Sequence, residues 1–169
     1  MLETARLRLQ PLTYDQLVKY TRCDNSLEQE LHLNENARTM SPELKEAFEE
    51  TILPNVADPT KDYRFSTLWT AISKAENCMV GDICFIGEPN AAGEVEIGYG
   101  THPAYQGRGY MTEIVAGMVQ WAKAQPSVKT ILAATEKTNT ASFRVLEKNG
   151  FVKYDETAAL FNWKLAIQP

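Results

Sequence analysis

The chain has 169 residues, 44% of them apolar and 23% charged, with a formal net charge of −5. That length fits a single domain over residues 1–169, and the apolar fraction is enough to bury a full core. The acidic balance argues against nucleic acid as a partner, which needs a basic face, and no apolar run approaches the roughly 18 residues of a membrane span.

Glu3, Arg6 and Arg8 interrupt the first apolar stretch, so it is not the apolar region of a signal peptide, and a cytoplasmic setting is expected. Ala5, Leu7 and Leu9 alternate with Arg6, Arg8 and Gln10, which reads as a half-buried strand ended by Pro11. Thr13 to Cys23 is helical in pattern. Residues 24 to 40 are polar and give no pattern. Ser41-Pro42-Glu43-Leu44 is a helix start, with Ser41 as cap and Pro42 in the first turn, and Pro54 should stop that helix. Strands are expected over Phe65–Ser73, Met79–Ile86 and Glu94–Thr101, and their short turns imply an antiparallel meander. Apolar residues at 111, 114, 115, 118 and 122 make a helix of Arg108–Ala124. Val128–Thr135 is a strand, Asn139–Asn149 a helix closed by Gly150, and Phe151–Tyr154 and Leu160–Ala166 two further strands. The sum is an α+β domain with a mixed, mostly antiparallel sheet of about seven strands flanked by helices.

Cys23, Cys78 and Cys84 are odd in number and form no CxxC pair, so neither a disulfide framework nor a zinc site is expected; Cys78 and Cys84 read as core residues. His32 and His102 are too few for a histidine metal site. The informative stretch is Thr101 to Thr112. It follows a strand and opens the best amphipathic helix of the chain. A helix start offers backbone N–H groups with no intrahelical partner and a dipole that favours an anion. Gly107 and Gly109 allow phosphates close to the backbone, and Arg108 adds a cation. The two glycines could also simply make a tight turn. A dinucleotide fingerprint would need a third glycine at Thr112 and a βαβ unit, and a P-loop would need a Gly-Lys-Ser/Thr ending.

Gln106-Gly107-Arg108-Gly109-Tyr110-Met111 resembles the Q/R-x-x-G-x-G/A signature of the GNAT superfamily of N-acetyltransferases. Gln106 and Gly109 match, and Met111 departs where Gly or Ala is usual. Thr4 to Leu9, Glu96 to Tyr99 and Asn139 to Phe151 are similar to the corresponding stretches of the RimJ/RimL-like branch, which includes ribosomal-protein acetyltransferases. The resemblance implies a GNAT-like fold and acetyl transfer from acetyl-CoA, as co-substrate, to a primary amine. It also implies that Gln106, Gly107, Arg108, Gly109, Tyr110, Met111 and Thr112 bind the pyrophosphate, and that the backbone of Tyr99, Gly100 and Thr101 pairs with the pantetheine amides. The protein would act as a monomer or homodimer.

No Ser–His or Cys–His nucleophile is visible, which agrees with direct attack by the amine. Alternation places Glu94, Glu96 and Gly98 on one strand face and Val95, Ile97 and Tyr99 on the other. Some members of the family carry a base on this strand, so a partly buried Glu96 with a raised pKa is the candidate; a solvent-facing carboxylate is the plainer reading. In the RimL-like branch, the serine matching Ser142 is the acid that protonates the departing thiolate, and the asparagine matching Asn139 bonds the pantetheine arm. Locally, Asn139 is also a good N-cap. Tyr154 could replace Ser142 as the acid. Arg144 and Lys148 share a helix face and could meet the nucleotide 3′-phosphate or form a solvated face. Two other functions fit the chain: a catalytically silent acetyl-CoA sensor or interaction module, and a nucleotide-dependent oxidoreductase.

Overall fold

Alternation sets the sheet. In the computed structural model, which describes residues 1–168, Leu7 and Leu9 point into the core of strand β2 (Leu7–Pro11) and are fully buried. A two-residue strand, β1 (Leu2–Glu3), folds back on β2 with Leu2 opposite Leu9. It raises the count to eight, one more than the expected seven, because two residues are too few for a period to register. β3 (Leu68–Ser73), β4 (Cys78–Phe85) and β5 (Glu94–Thr101) form the expected antiparallel meander. β3 begins at Leu68 rather than Phe65 because the Asp62 carboxylate caps a 3-10 turn over Tyr63–Phe65. Helix α5 (Tyr110–Lys123) crosses to β6 (Thr130–Glu136), which lies parallel to β5. Helix α6 (Thr140–Lys148) then leads to β7 (Val152–Glu156), and β8 (Leu160–Ala166) inserts between β6 and β7.

Helices cover both faces. On one face α5 buries Ile114, Val115, Met118 and Ala122 against the sheet. Beneath it the Trp121 ring sits 5.2 Å from Phe65, 5.2 Å from Trp69 and 5.4 Å from Phe85. Such tilted pairs add about 0.5–1.5 kcal/mol each beyond burial. The other face carries α1 (Tyr14–Arg22), α2 (Ser26–Glu30), α3 (Pro42–Ala47) and α4 (Leu53–Ala57). Thr13 and Gln16 cap α1 reciprocally, a local signal strong enough to fix its start. Leu12, Leu17, Phe48, Leu68, Ile72 and Met79 join this layer to β3 and β4. No β5 residue belongs to that cluster, so the face of β5 bearing Glu96 and Gly100 stays exposed.

Pro54 does not stop the helix that begins at Pro42: a π-turn over Phe48–Ile52 intervenes, and α4 runs on to Ala57. Leu53 donates to the Phe48 carbonyl, five residues back. The wider turn relieves the contact between the proline ring and the preceding turn, which would break an ordinary helix. The unpatterned residues 24 to 40 contain α2 and a buried ion pair: Arg38 Nε is 2.8 Å from Glu28 Oε1, with side chains 4% and 0% exposed.

The feature that makes a site is a parting of strands. β5 pairs with β6 only over Glu94, Glu96 and the residue between them. From Ile97 to Thr101, β5 bonds β4 alone, while β6 from Ala133 to Glu136 bonds β8 alone. A wedge opens between them, with one edge of β5 free along its length.

Candidate active site

The wedge runs into a cavity of about 540 Å³ between the end of β5, the start of α5 and the first turns of α6. Its floor at the α5 end is bare backbone. Gly107 and Gly109 adopt φ +77° and +78°, a conformation that L side chains rarely take. Gly109 occupies the N-cap position of α5, and no side chain caps that helix. Among the described residues, no amide from Gly107 to Thr112 donates to a protein group; the next, Glu113, bonds the Gly109 carbonyl at 3.4 Å. Six consecutive donors at a helix start form an anion site in which the dipole and the N–H groups act together.

Eleven of the residues expected at the site line this cavity: Tyr99, Gly100, Thr101, Gln106, Gly107, Gly109, Tyr110, Met111, Thr112, Asn139 and Ser142. Arg144 and Lys148 line it as well. Met111 belongs to the buried core and also lines the cavity. Arg108 does not line the cavity. Its guanidinium lies 5.2 Å from the Tyr105 ring centre and 3.3 Å from Glu76. Glu96 lies at the last β5–β6 pair with an exposed side chain, so the partial burial expected of it is absent because no helix covers that part of the sheet. Tyr154 is 49% exposed on β7, under the Lys164 ammonium, and does not line the cavity.

Deep in the wedge two hydroxyls meet. Ser142 Oγ donates to the Tyr99 hydroxyl at 3.2 Å, and that hydroxyl donates to the Ser142 carbonyl at 3.0 Å. Burial raises the Tyr99 pKa above its ordinary value, only partly opposed by the Ser142 bond, so the phenol keeps its proton at neutral pH. Asn139 Oδ1 accepts the Ser142 amide at 3.2 Å, so Asn139 caps α6 and fixes the turn that presents Ser142. The tyrosine of this pair was legible in sequence only as strand backbone; its side chain meets Ser142 from 43 positions away.

Three further residues escaped sequence reasoning. Tyr105 lines the cavity and contacts the Cys78 sulfur at 3.1 Å; that bond, with burial, pushes its pKa up to about 12. Arg6 and Glu113 brace the loop from behind and pair at 2.7 Å. Burial raises the Glu113 pKa, but hydrogen bonds from Thr4 and from the amide and guanidinium of Arg6 outweigh it and hold the carboxyl below the ordinary glutamate range. The unfolded chain therefore takes up this proton first. The contribution to stability is complete above about pH 4.3, the value for a free glutamate, and is lost as pH falls through the lower folded value. Glu113→Gln is expected to flatten the acid limb of the unfolding free energy against pH, and an acid limb identical to wild type would contradict this.

The row of unpartnered amides leads into a wedge with a free strand edge. Residues 6–152 match the family described as acetyltransferase (GNAT) domain. Over 166 residues the chain is 30% identical to an uncharacterized N-acetyltransferase, YjdG of Bacillus subtilis (strain 168), covering 96% of each. The chain belongs to the GNAT acetyltransferase family, whose co-substrate is acetyl-CoA. Among solved structures it is similar in fold to RimL, the ribosomal L7/L12 α-N-protein acetyltransferase in complex with coenzyme A. That match has a TM-score of 0.68 at 14% identity, over 97% of this chain and 96% of that one. It is also similar to spermidine N-acetyltransferase of Vibrio cholerae in complex with CoA and spermine, with a TM-score of 0.67 at 14% identity, over 96% of each.

Proposed function

We propose that this acyltransferase moves the acetyl group of acetyl-CoA to a primary amine, either a protein N-terminus or a small-molecule amine, by direct attack within a ternary complex. We place it in the RimJ/RimL-like branch, in the cytoplasm, as a monomer or homodimer. The observation that carries this reading is the run of unpartnered amides from Gly107 to Thr112 beside the free edge of β5. The amides hold the diphosphate and Gln106 and Arg108 flank it. The β5 edge at Tyr99, Gly100 and Thr101 pairs with the two amides of the pantetheine arm, as an added strand would. Asn139 bonds the same arm.

In the reaction the neutral amine attacks the thioester carbonyl, the C–S bond breaks, and the sulfur leaves with the electron pair. Ser142 Oγ, held beside the Tyr99 hydroxyl, donates its proton to that sulfur and is re-protonated from water. Glu96, at the point where β5 and β6 part, accepts the amine proton through water. An α-amine, with a pKa of about 7.7–8.0 against about 10.4 for lysine, makes little demand on that base, which suits an exposed carboxylate. Desolvation pushes the Cys84 thiol up to about 11, so it stays protonated at neutral pH and forms no acyl-enzyme. Cys84→Ser is accordingly expected to keep turnover within about twofold; loss of turnover would point to a covalent route.

The direct test is a thermal-shift screen with acetyl-CoA and CoA, then a panel of amines followed by release of free thiol. Saturation at about 100 times the dissociation constant adds roughly 2.7 kcal/mol of stability. Thiol release that requires an amine, and that is lost in Ser142→Ala while CoA binding persists, is the expected result. Binding without release for peptide N-termini, polyamines and aminoglycosides alike would favour an acetyl-CoA sensor instead.

A further inference from the structure

Thr4 and Arg6 lie before β2, far in sequence from the phosphate loop, yet they touch its back. The Arg6 amide donates to Glu113 Oε1 at 2.7 Å and its Nε to Oε2 at 2.7 Å. The Thr4 hydroxyl donates to the same Oε1 at 2.6 Å. A second guanidinium nitrogen, Nη1, donates to the Arg108 carbonyl at 3.0 Å, and the group lies over the Tyr110 ring at 4.7 Å from its centre. Arg6 thus grips the last turn residue before Gly109, the first ring of α5 and, through Glu113, the end of its first turn.

This grip has a consequence for the amides. No peptide in the chain is cis, and in a planar trans peptide the carbonyl and the N–H point in opposite directions. Holding the Arg108 carbonyl toward Arg6 therefore turns the Gly109 N–H away from Arg6, and Gly109 itself lines the cavity. Without that bond the peptide is free to rotate, since Gly109 itself favours no single conformation. Anchoring Glu113 likewise fixes the axis of the first turn and hence the direction of the Tyr110, Met111 and Thr112 amides.

We infer that Arg6 is a positioning residue for the diphosphate of acetyl-CoA: it acts through the Arg108 carbonyl and Glu113 to aim the loop amides, without touching the reacting atoms. The inference rests on the diphosphate lying at Gly107 to Thr112. It assigns Glu113 as the partner that makes the grip two-point.

The test compares two acetyl donors, acetyl-CoA and acetyl-pantetheine, which lacks the diphosphate, with wild type, Arg6→Met and Arg6→Lys. In Arg6→Met the KM for acetyl-CoA should rise on the order of 10- to 100-fold. Its kcat at saturation, and its kcat/KM with acetyl-pantetheine, should stay within about twofold of wild type. Arg6→Lys, which keeps the charge but has a single donor group for two acceptors, should show the same split in smaller measure, and it serves if the methionine variant does not fold. Equal loss with both donors in the lysine variant, or an unchanged KM for acetyl-CoA in either variant, would overturn the inference. A wild-type enzyme that does not distinguish the two donors would instead overturn the placement of the diphosphate.

Discussion

Arg38→Met is expected to lower the unfolding free energy by about 3–5 kcal/mol. Arg38 donates to Glu28 at 2.8 and 3.4 Å and to the Tyr20 carbonyl at 3.1 Å. Its guanidinium also covers the Tyr20 ring at 4.2 Å from the centre. Removing it leaves a fully buried carboxylate with no counter-charge, and that penalty exceeds the net worth of the intact pair. Glu28→Gln added to Arg38→Met should therefore recover a large part of the loss. Urea unfolding at neutral pH measures both. A loss below about 1 kcal/mol would mean the pair behaves as an exposed one. The effect reaches beyond stability, because Tyr20 donates to Asp82 at 2.6 Å, and Asp82 in turn holds His102 at 3.0 Å, just before the Gly107–Gly109 loop.

Gly109→Val is expected to weaken CoA binding on the order of 100-fold while lowering stability by only about 1–2 kcal/mol. The reason is conformational rather than steric. A side chain built at Gly109 meets nothing closer than Arg6 Nη2 at 3.6 Å, an ordinary contact, but a β-branched residue does not rest at φ +78°. Relaxing that angle swings the following amides off the cavity. Gly109→Asn, which tolerates the left-handed region, should lose far less. Calorimetric titration with CoA separates the two, and equal affinity in the valine variant and wild type would mean the amides are not the anchor.

How much of this was legible depended on whether the signal was local. Glu94–Thr101 and Leu160–Ala166 were readable to the residue because turns bound them and apolar residues alternate within them. Helix α6 was readable from Asn139, a cap that bonds its own third neighbour, to Gly150. The loop was legible as a helix start with unpartnered amides because these follow from backbone geometry alone. Side-chain meetings across the fold left no such trace. The Arg6–Glu113 grip joins residues 107 apart, and the Tyr99–Ser142 pair needs β5 and α6 to converge. The Glu28–Arg38 pair hides in a stretch that reads as polar loop, since its burial comes from the layer over β3 and β4 rather than from its own pattern. Glu96 shows the same boundary: alternation fixed its face of the strand, but whether a helix covers that face is a tertiary fact, and none does.

The claim on which the donor site depends is that the backbone N–H groups from Gly107 to Thr112 bind the diphosphate. Following the backbone amides by proton–nitrogen NMR during titration with CoA, and separately with pantetheine, tests it most directly. CoA should move the amide protons of these six residues downfield as they become charge-assisted donors, while pantetheine should shift Tyr99 to Thr101 and leave the six in place. If CoA saturates the protein with those six resonances unmoved and others displaced, the diphosphate lies elsewhere and the account fails.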